Sequence, residues 1–246
     1  MRLTVLGGAG GFPPASGACS GYLIEHDGFR LLVDPGYAIV PRLLEIVPPE
    51  AIDAVLVSHG HPDHVADLNP LLRARLMGDE EAPRLPAYAL PEALGPVLAL
   101  DQIKALKGAC DLREFEAGEA FPIGPFAIES RLLPHSIPNA GVRISAGGTS
   151  ITYTGDAGPS DDLVALATGT DLLLAEATYI EAVPSGNASV LNSALEVGRQ
   201  AHRARAARLM LTHLMPGTDP EASRAAASRS FDDWIAVATP GTIFEL

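Results

Sequence analysis

Three histidines and an aspartate crowd into one short run, Ser58-His59-Gly60-His61-Pro62-Asp63-His64, in the pattern H-x-H-x-D-H. Imidazole and carboxylate are the ligands that zinc and related divalent cations take. The run follows the apolar stretch Ala54-Val55-Leu56-Val57, so a strand delivers it into a tight loop. His59 and His61, two residues apart, then point the same way, and the turn brings Asp63 and His64 around. One cation cannot use all four with sensible geometry. Two adjacent cations can, if further ligands arrive from elsewhere.

The chain has seven histidines, and two of those outside the run, His135 and His213, follow apolar stretches that read as strands. Asp156 ends another such stretch, Ser150-Ile151-Thr152-Tyr153-Thr154-Gly155-Asp156, where a carboxylate can bridge two metals. The count then closes: His59, His61 and His135 on one metal, Asp63, His64 and His213 on the other, Asp156 between them. His26, beside Asp27-Gly28 in a hairpin-like turn, and His202, on a polar helix face, read as structural.

The elements that must position these groups alternate along the chain. Strands are predicted near 2–6, 21–25, 30–34, 53–57, 86–89, 126–133, 142–146, 150–154, 170–175, 208–212 and 242–245. Helices are predicted near 38–46, 64–77, 91–107 with a break, 160–168, 190–204 and 219–230. In the 190–204 helix, Val190, Ala194, Val197 and Ala201 recur at helical spacing and should face the core. An early hairpin meander followed by strand–helix alternation argues for two packed sheets with helices outside. No internal repeat is visible, and the charged loop from Asp79 to Pro86 is too short to divide the chain, so residues 1–246 read as a single domain.

A chain of 246 residues with 47% hydrophobic content can bury a large core. No apolar run is long enough for a membrane helix, and the N-terminus lacks a signal-peptide pattern, so a cytoplasmic protein is expected. Cys19 and Cys110 form no C-x-x-C pair; Cys110 reads as a buried small residue, and Cys19, just past the glycine loop, as a neighbour of the site. The net charge of −13 argues against nucleic acid as partner, and the arginine clusters at 73–84 and 199–208 read as solvated helix faces. The glycine-rich segment from Gly7 to Gly11 has no G-K-[ST] and no helix after it, so it reads as a loop of close approach, not a nucleotide cradle.

The loop at 59–64, followed in order by His135, Asp156 and His213, resembles the metallo-β-lactamase superfamily of metal-dependent hydrolases over nearly the whole chain. The resemblance implies an αββα sandwich, two mixed sheets flanked by helices, holding two divalent metals: zinc, with manganese or iron admitted by the donor set. Such cations lower the pKa of water from about 15.7 toward about 7 and stabilise the attacked oxygen. Asp63 is a candidate catalytic group that orients or deprotonates that water. Within the superfamily, Leu6-Gly7 with Pro13-Pro14, Thr154-Gly155-Asp156, Glu176-Ala177-Thr178 and Thr212-His213 resemble the branch of ribonuclease Z and small-molecule phosphodiesterases. The matching glutamate of the endonuclease pairs with a histidine that helps protonate the leaving group, which makes Glu176 a second catalytic candidate or else a strand-end carboxylate that holds a loop. Here no histidine lies between His135 and His202, and no long Gly/Pro-rich arm is present to grip tRNA. The expectation is therefore a phosphodiesterase for a small substrate such as a cyclic nucleotide or cyclic phosphate. An RNA-processing endonuclease and a thioester or lactone hydrolase are the alternatives. The partner expected is that small substrate, with no nucleic acid and no membrane; a homodimer is compatible.

Overall fold

A computed structural model describes residues 1–78, 82–100 and 104–246. Residues 79–81 of the expected charged loop and 101–103 within the expected 91–107 helix lie outside the described residues. The strands run β1 (Arg2–Gly7), β2 (Gly21–His26), β3 (Phe29–Val33), β4 (Ala54–Leu56), β5 (Leu85–Ala89) and β6 (Cys110–Glu114), then β7 (Ala120–Ile123), β8 (Phe126–Leu133), β9 (Asn139–Ala146), β10 (Thr149–Tyr153), β11 (Leu172–Glu176), β12 (Arg208–Thr212), β13 (Trp234–Val237) and β14 (Ile243–Glu245). The helices are α1 (Ile39–Leu44), α2 (Pro62–Val65), α3 (Leu68–Met77), α4 (Gly95–Ala99), α5 (Lys104–Ala109), α6 (Asp161–Leu166), α7 (Ala194–Ala204) and α8 (Pro220–Ala227).

Two seven-stranded mixed sheets form, in the orders β14-β1-β2-β3-β4-β5-β6 and β13-β12-β11-β10-β9-β8-β7. Leu3, Val5, Tyr22, Leu31, Val33 and Leu56 of the first sheet pack between the layers with Ile128, Val142, Ile144, Ile151, Tyr153 and Leu174 of the second. The opposite face of the first sheet, Leu23, Leu32 and Val55, packs on Ile39, Leu43, Leu68 and Leu72 of α1 and α3. On the other side Leu173, Ala175, Leu209 and Leu211 meet Val197 and Ala201 of α7 and Ala226 of α8. This is the expected αββα sandwich. Burial on both faces explains the apolar runs Leu31-Leu32-Val33 of β3, Leu172-Leu173-Leu174-Ala175 of β11 and Leu209-Met210-Leu211 of β12.

The structure repeats a pattern that the sequence hides. Strands β1 to β6 pair antiparallel twice and then parallel three times, and β8 to β13 do the same. The sequence reading missed β6, β7 and β13. Each has little or no buried face, and β6, β7 and β13 are sheet edges, where a proline such as Pro122 is tolerated.

Several helices are shorter than expected. α7 starts at Ala194, not 190, because Ser193 accepts a hydrogen bond from the Glu196 N–H, the S-x-x-E cap. Val190 therefore lies outside the helix, while Ala194, Val197 and Ala201 face the core. The 64–77 helix is two pieces, α2 and α3. The β2–β3 hairpin turns at Asp27 and Gly28, both with positive φ, the I′ geometry that Asp-Gly favours.

The arginine clusters, expected as solvated helix faces, differ in part: Arg84 lies just before β5 and Arg208 begins β12, neither on a helix. Arg75 is buried and donates to the carbonyls of Pro49, Ile52 and Pro83, so it clamps a loop and is not a solvated charge. Arg199 and Arg203 pair with Glu196 and Asp161, and Arg208 lies over the Phe244 ring. No helix among the described residues is long and apolar enough to cross a membrane.

Candidate metal centre

Every candidate ligand sits just beyond the carboxyl end of a strand, at the mouth where the two sheets meet. His59, His61, Asp63 and His64 follow β4, His135 follows β8, Asp156 follows β10 and His213 follows β12. The 59–64 run turns from strand into α2 with His61 at its N-cap and Pro62 as the first helical residue, a position that suits proline.

All seven residues converge in two groups. His59, His61, His135 and Asp156 form one, and Asp63, His64, Asp156 and His213 the other; within each, the donor atoms lie within 4.8 Å of one another. His61 Nδ1 is 3.1 Å from both His59 Nε2 and His135 Nε2. Nitrogens bound at about 2.0–2.1 Å to one tetrahedral cation stand about 3.3 Å apart, so this triangle has nearly the size a cation needs. In the second group, His213 Nε2 is 3.1 Å from Asp63 Oδ2 and 3.3 Å from Asp156 Oδ2, and His64 Nε2 is 3.3 Å from Asp156 Oδ1. Asp156 thus faces both groups.

The donor chemistry fits metal ions. His64 Nε2 and Asp156 Oδ1 are buried without hydrogen-bond partners. Leaving such atoms unsatisfied costs about 1–3 kcal/mol or more each, and a cation between them removes that cost.

The outer nitrogens explain how the rings are aimed. His135 Nδ1 donates to the Val190 carbonyl at 3.0 Å, His59 Nδ1 lies 3.0 Å from the Ser58 hydroxyl, and His213 Nδ1 lies 3.0 Å from the Thr178 hydroxyl. His64 Nδ1 donates to Asp34 at 2.7 Å. An outer partner on Nδ1 fixes the tautomer that turns Nε2 inward; His61 alone presents Nδ1. Asp34 is wholly buried and also accepts from the Ser58 N–H, the Ser58 hydroxyl and the Tyr153 hydroxyl at 2.6–2.8 Å. Sequence reading missed Asp34, Tyr153, Ser58 and Thr178, since none of them falls in the ligand pattern; the one available signal was that Asp34 also stands at a strand end, after Leu31-Leu32-Val33.

The glycine loop comes close, as expected. The Gly11 N–H donates to Asp63 Oδ2 at 2.8 Å, and a Cβ on Gly10 would stand 2.6 Å from His213 Nδ1. Cys19 also lies near: burial and the Asp63 charge push its thiol up to about 12, and burial with the Asp111 charge pushes Cys110 up to about 11, so both stay protonated. His26 packs beside Phe126 at the far hairpin, and His202 lies exposed on α7.

Glu176 is fully buried, and its oxygens accept the backbone N–H groups of Thr178 and Asn192 at 2.9–3.1 Å. It ties the end of β11 to the segment that precedes α7. Burial and the Asp156 charge push it up to about 7.

Charge in the cluster is divided. Burial lowers His59 and His61, so both rings stay neutral. Burial also works against protonating His64 and His213, but the Asp156 charge prevails and holds both above the ordinary value. Burial would raise Asp63, yet the His213 hydrogen bond and the His64 and His213 charges hold it well below the usual carboxylate range.

Residues 8–214 match the family described as Beta-lactamase superfamily domain. The chain is 33% identical to the probable metallo-hydrolase YhfI of Bacillus subtilis over 248 residues, covering 100% of each. The crystal structure of that metallo-beta-lactamase fold protein superposes with a TM-score of 0.90 at 32% identity, covering 100% of this chain and 98% of the other. Ribonuclease Z of Mycobacterium bovis is 26% identical over 270 residues, covering 96% of this chain and 95% of that protein. Zinc-bound PqqB of Methylobacterium extorquens shares the fold, with a TM-score of 0.79, 21% identity and full coverage of both chains. With its buried histidine–aspartate cluster at the sheet ends, the chain belongs to the beta-lactamase superfamily and is a metallo-hydrolase.

Proposed function

We propose that this protein hydrolyses small phosphodiesters, a cyclic nucleotide or cyclic phosphate being the kind expected, with two zinc ions as cofactor. The carrying observation is the pair of ligand groups joined at Asp156. In this reading His59, His61 and His135 hold one cation, Asp63, His64 and His213 the other, and Asp156 serves both. When bound, two such ions neutralise both non-bridging oxygens of a phosphoester and acidify water toward neutral pH. Among the described residues the hydrogen bonds and ion pairs of Asp63 use Oδ2, which leaves Oδ1 to orient the attacking water. Glu176, with its oxygens on backbone N–H groups, positions the loop before α7, whose Val190 carbonyl in turn aims His135.

Elemental analysis of protein purified without chelator should give about two equivalents of metal; a single equivalent at saturating metal overturns the dinuclear reading. Binding should release protons, because His64 and His213 are held above their ordinary value and must lose a proton to become ligands. In the metal-free protein these two contribute stability that is full below about pH 6.5 and lost as pH rises through their folded values; His59 and His61, lowered, contribute above about 6.5 and lose it as pH falls. Metal affinity should therefore climb as pH rises above about 6.5. Calorimetric titrations in buffers of different ionisation heat measure the proton count, and no buffer dependence would sink this.

Turnover of a chromogenic phosphodiester, a thioester, a lactone and a precursor tRNA separates the readings. Diester turnover with negligible tRNA cleavage at moderate salt is expected, because the chain carries a net charge of −13, which opposes a polyanionic partner. Ribonuclease Z at 26% identity supports the second reading, and efficient tRNA cleavage with idle diesters would establish it. Glu176→Gln should slow activated aryl diesters and cyclic nucleotides alike. A selective loss on the unactivated ester would instead make Glu176 an aid to leaving-group protonation.

A further inference from the structure

We propose that the substrate carries one uncharged apolar or aromatic arm, seated in a cavity beside His135, and that this cavity discriminates against an anionic second arm. The proposal rests on the phosphodiesterase reading above. The cavity, about 850 Å³, opens where the segments after β5 and β6 meet the β8–β9 connection. Its wall is apolar, built from Leu90, Leu132, Leu133 and Ile137. His135 belongs both to this wall and to the first ligand group, so a phosphate engaged at that group can extend an ester arm straight into the cavity. Apolar pockets of about 300–1,000 Å³ with few polar groups are what ring-sized organic ligands occupy.

The charges decide which arm is accepted. The ionised groups on the wall are Glu116 and Asp162, and no lysine or arginine lines it among the described residues. Asp162 is engaged by Arg131 at 3.1 Å, whereas Glu116 is exposed and has no ion pair among the described residues. A diester's single negative charge is taken up at the ligand groups. A carboxylate or second phosphate on the arm would face Glu116 with no cation beside it. Polyphosphate and oligonucleotide substrates are disfavoured for the same reason.

The test uses three 4-nitrophenyl phosphodiesters with one leaving group and different second arms: phenyl, 4-carboxyphenyl and 4-(trimethylammonio)phenyl. The carboxyphenyl ester should show kcat/KM about tenfold below the phenyl ester, mostly through KM, as expected for like charges at partly solvated range. The cationic arm should not fall below phenyl. Glu116→Gln and then Glu116→Lys should shrink the phenyl-to-carboxyphenyl ratio in that order. Calorimetric binding of the matching arylphosphonates gives a readout apart from turnover and should follow the same ranking. Equal kcat/KM for all arms, or a ratio untouched by both Glu116 variants, overturns the cavity assignment while leaving diester hydrolysis standing. Phosphonates that bind in the predicted order without any diester being cleaved would uphold the cavity and remove the phosphodiesterase reading.

Discussion

Asp156→Asn should abolish hydrolysis, with a loss exceeding the roughly 10²–10³-fold that a single stabilising donor is worth. Among the described residues Asp156 is the carboxylate facing both ligand groups, with contacts to His59, His64, His135 and His213 at 3.3–3.9 Å. An amide at that position would remove the negative charge offset by the cations and place an N–H₂ against imidazole nitrogens. Metal content should fall in the same variant, while circular dichroism stays native, since the core lies in the packed layers and not at their mouth. His59→Ala should behave alike. His26→Ala and His202→Ala, remote from the site, should stay within about twofold of wild type, the usual range for surface changes. A crippled His202→Ala would mean that the ligand set lacks a member.

Asp34→Ala should cost more stability than any change at the ligands. Its carboxylate accepts four hydrogen bonds in a site with no water access, from Ser58 twice, His64 and Tyr153. Removing one side of a buried charged network costs about 3–5 kcal/mol. Chemical denaturation should register that loss directly. Asp34→Asn keeps the shape and can still accept, so it should recover much of the stability. Losing the partner that fixes a metal-binding histidine usually weakens metal binding about 10–100-fold, and titration of Asp34→Asn should show that drop confined to one of the two equivalents. Unchanged affinity at both would mean that His64 is aimed by something other than Asp34.

The ligand run was legible because its four members lie within one turn of chain, and His135, Asp156 and His213 because each ends an apolar strand. What aims them was not. Asp34 acts on His64 from the end of the neighbouring strand, 30 residues away, and Tyr153 from the other sheet, 89 residues away, and nothing local in either segment marks such a hydrogen bond. The layers were readable from apolar runs buried on both faces. The edge strands β6, β7 and β13 were not, because a strand with one exposed side and one missing neighbour carries little hydrophobic pattern. Arg75 was misread for a related reason: its three acceptors are loop carbonyls, and carbonyls leave no trace in a sequence.

Each ligand group draws on both halves of the repeated strand pattern, and the partners are distant: His61 meets His135 across 74 residues, and Asp63 meets His213 across 150. A ribosome adding about 5–20 residues per second needs roughly 8–30 s to travel from Asp63 to His213. During that interval the H-x-H-x-D-H run begins with its own four donors, is joined by His135 and Asp156 partway through, and lacks His213 until the end. Before His213 arrives it can meet a free cation as a loose chelator, with an incomplete cage to enforce size or geometry. The order of the chain thus makes selective metal loading an event of the finished fold, and it leaves the newborn protein open to the wrong ion for longer than a domain of this size takes to collapse.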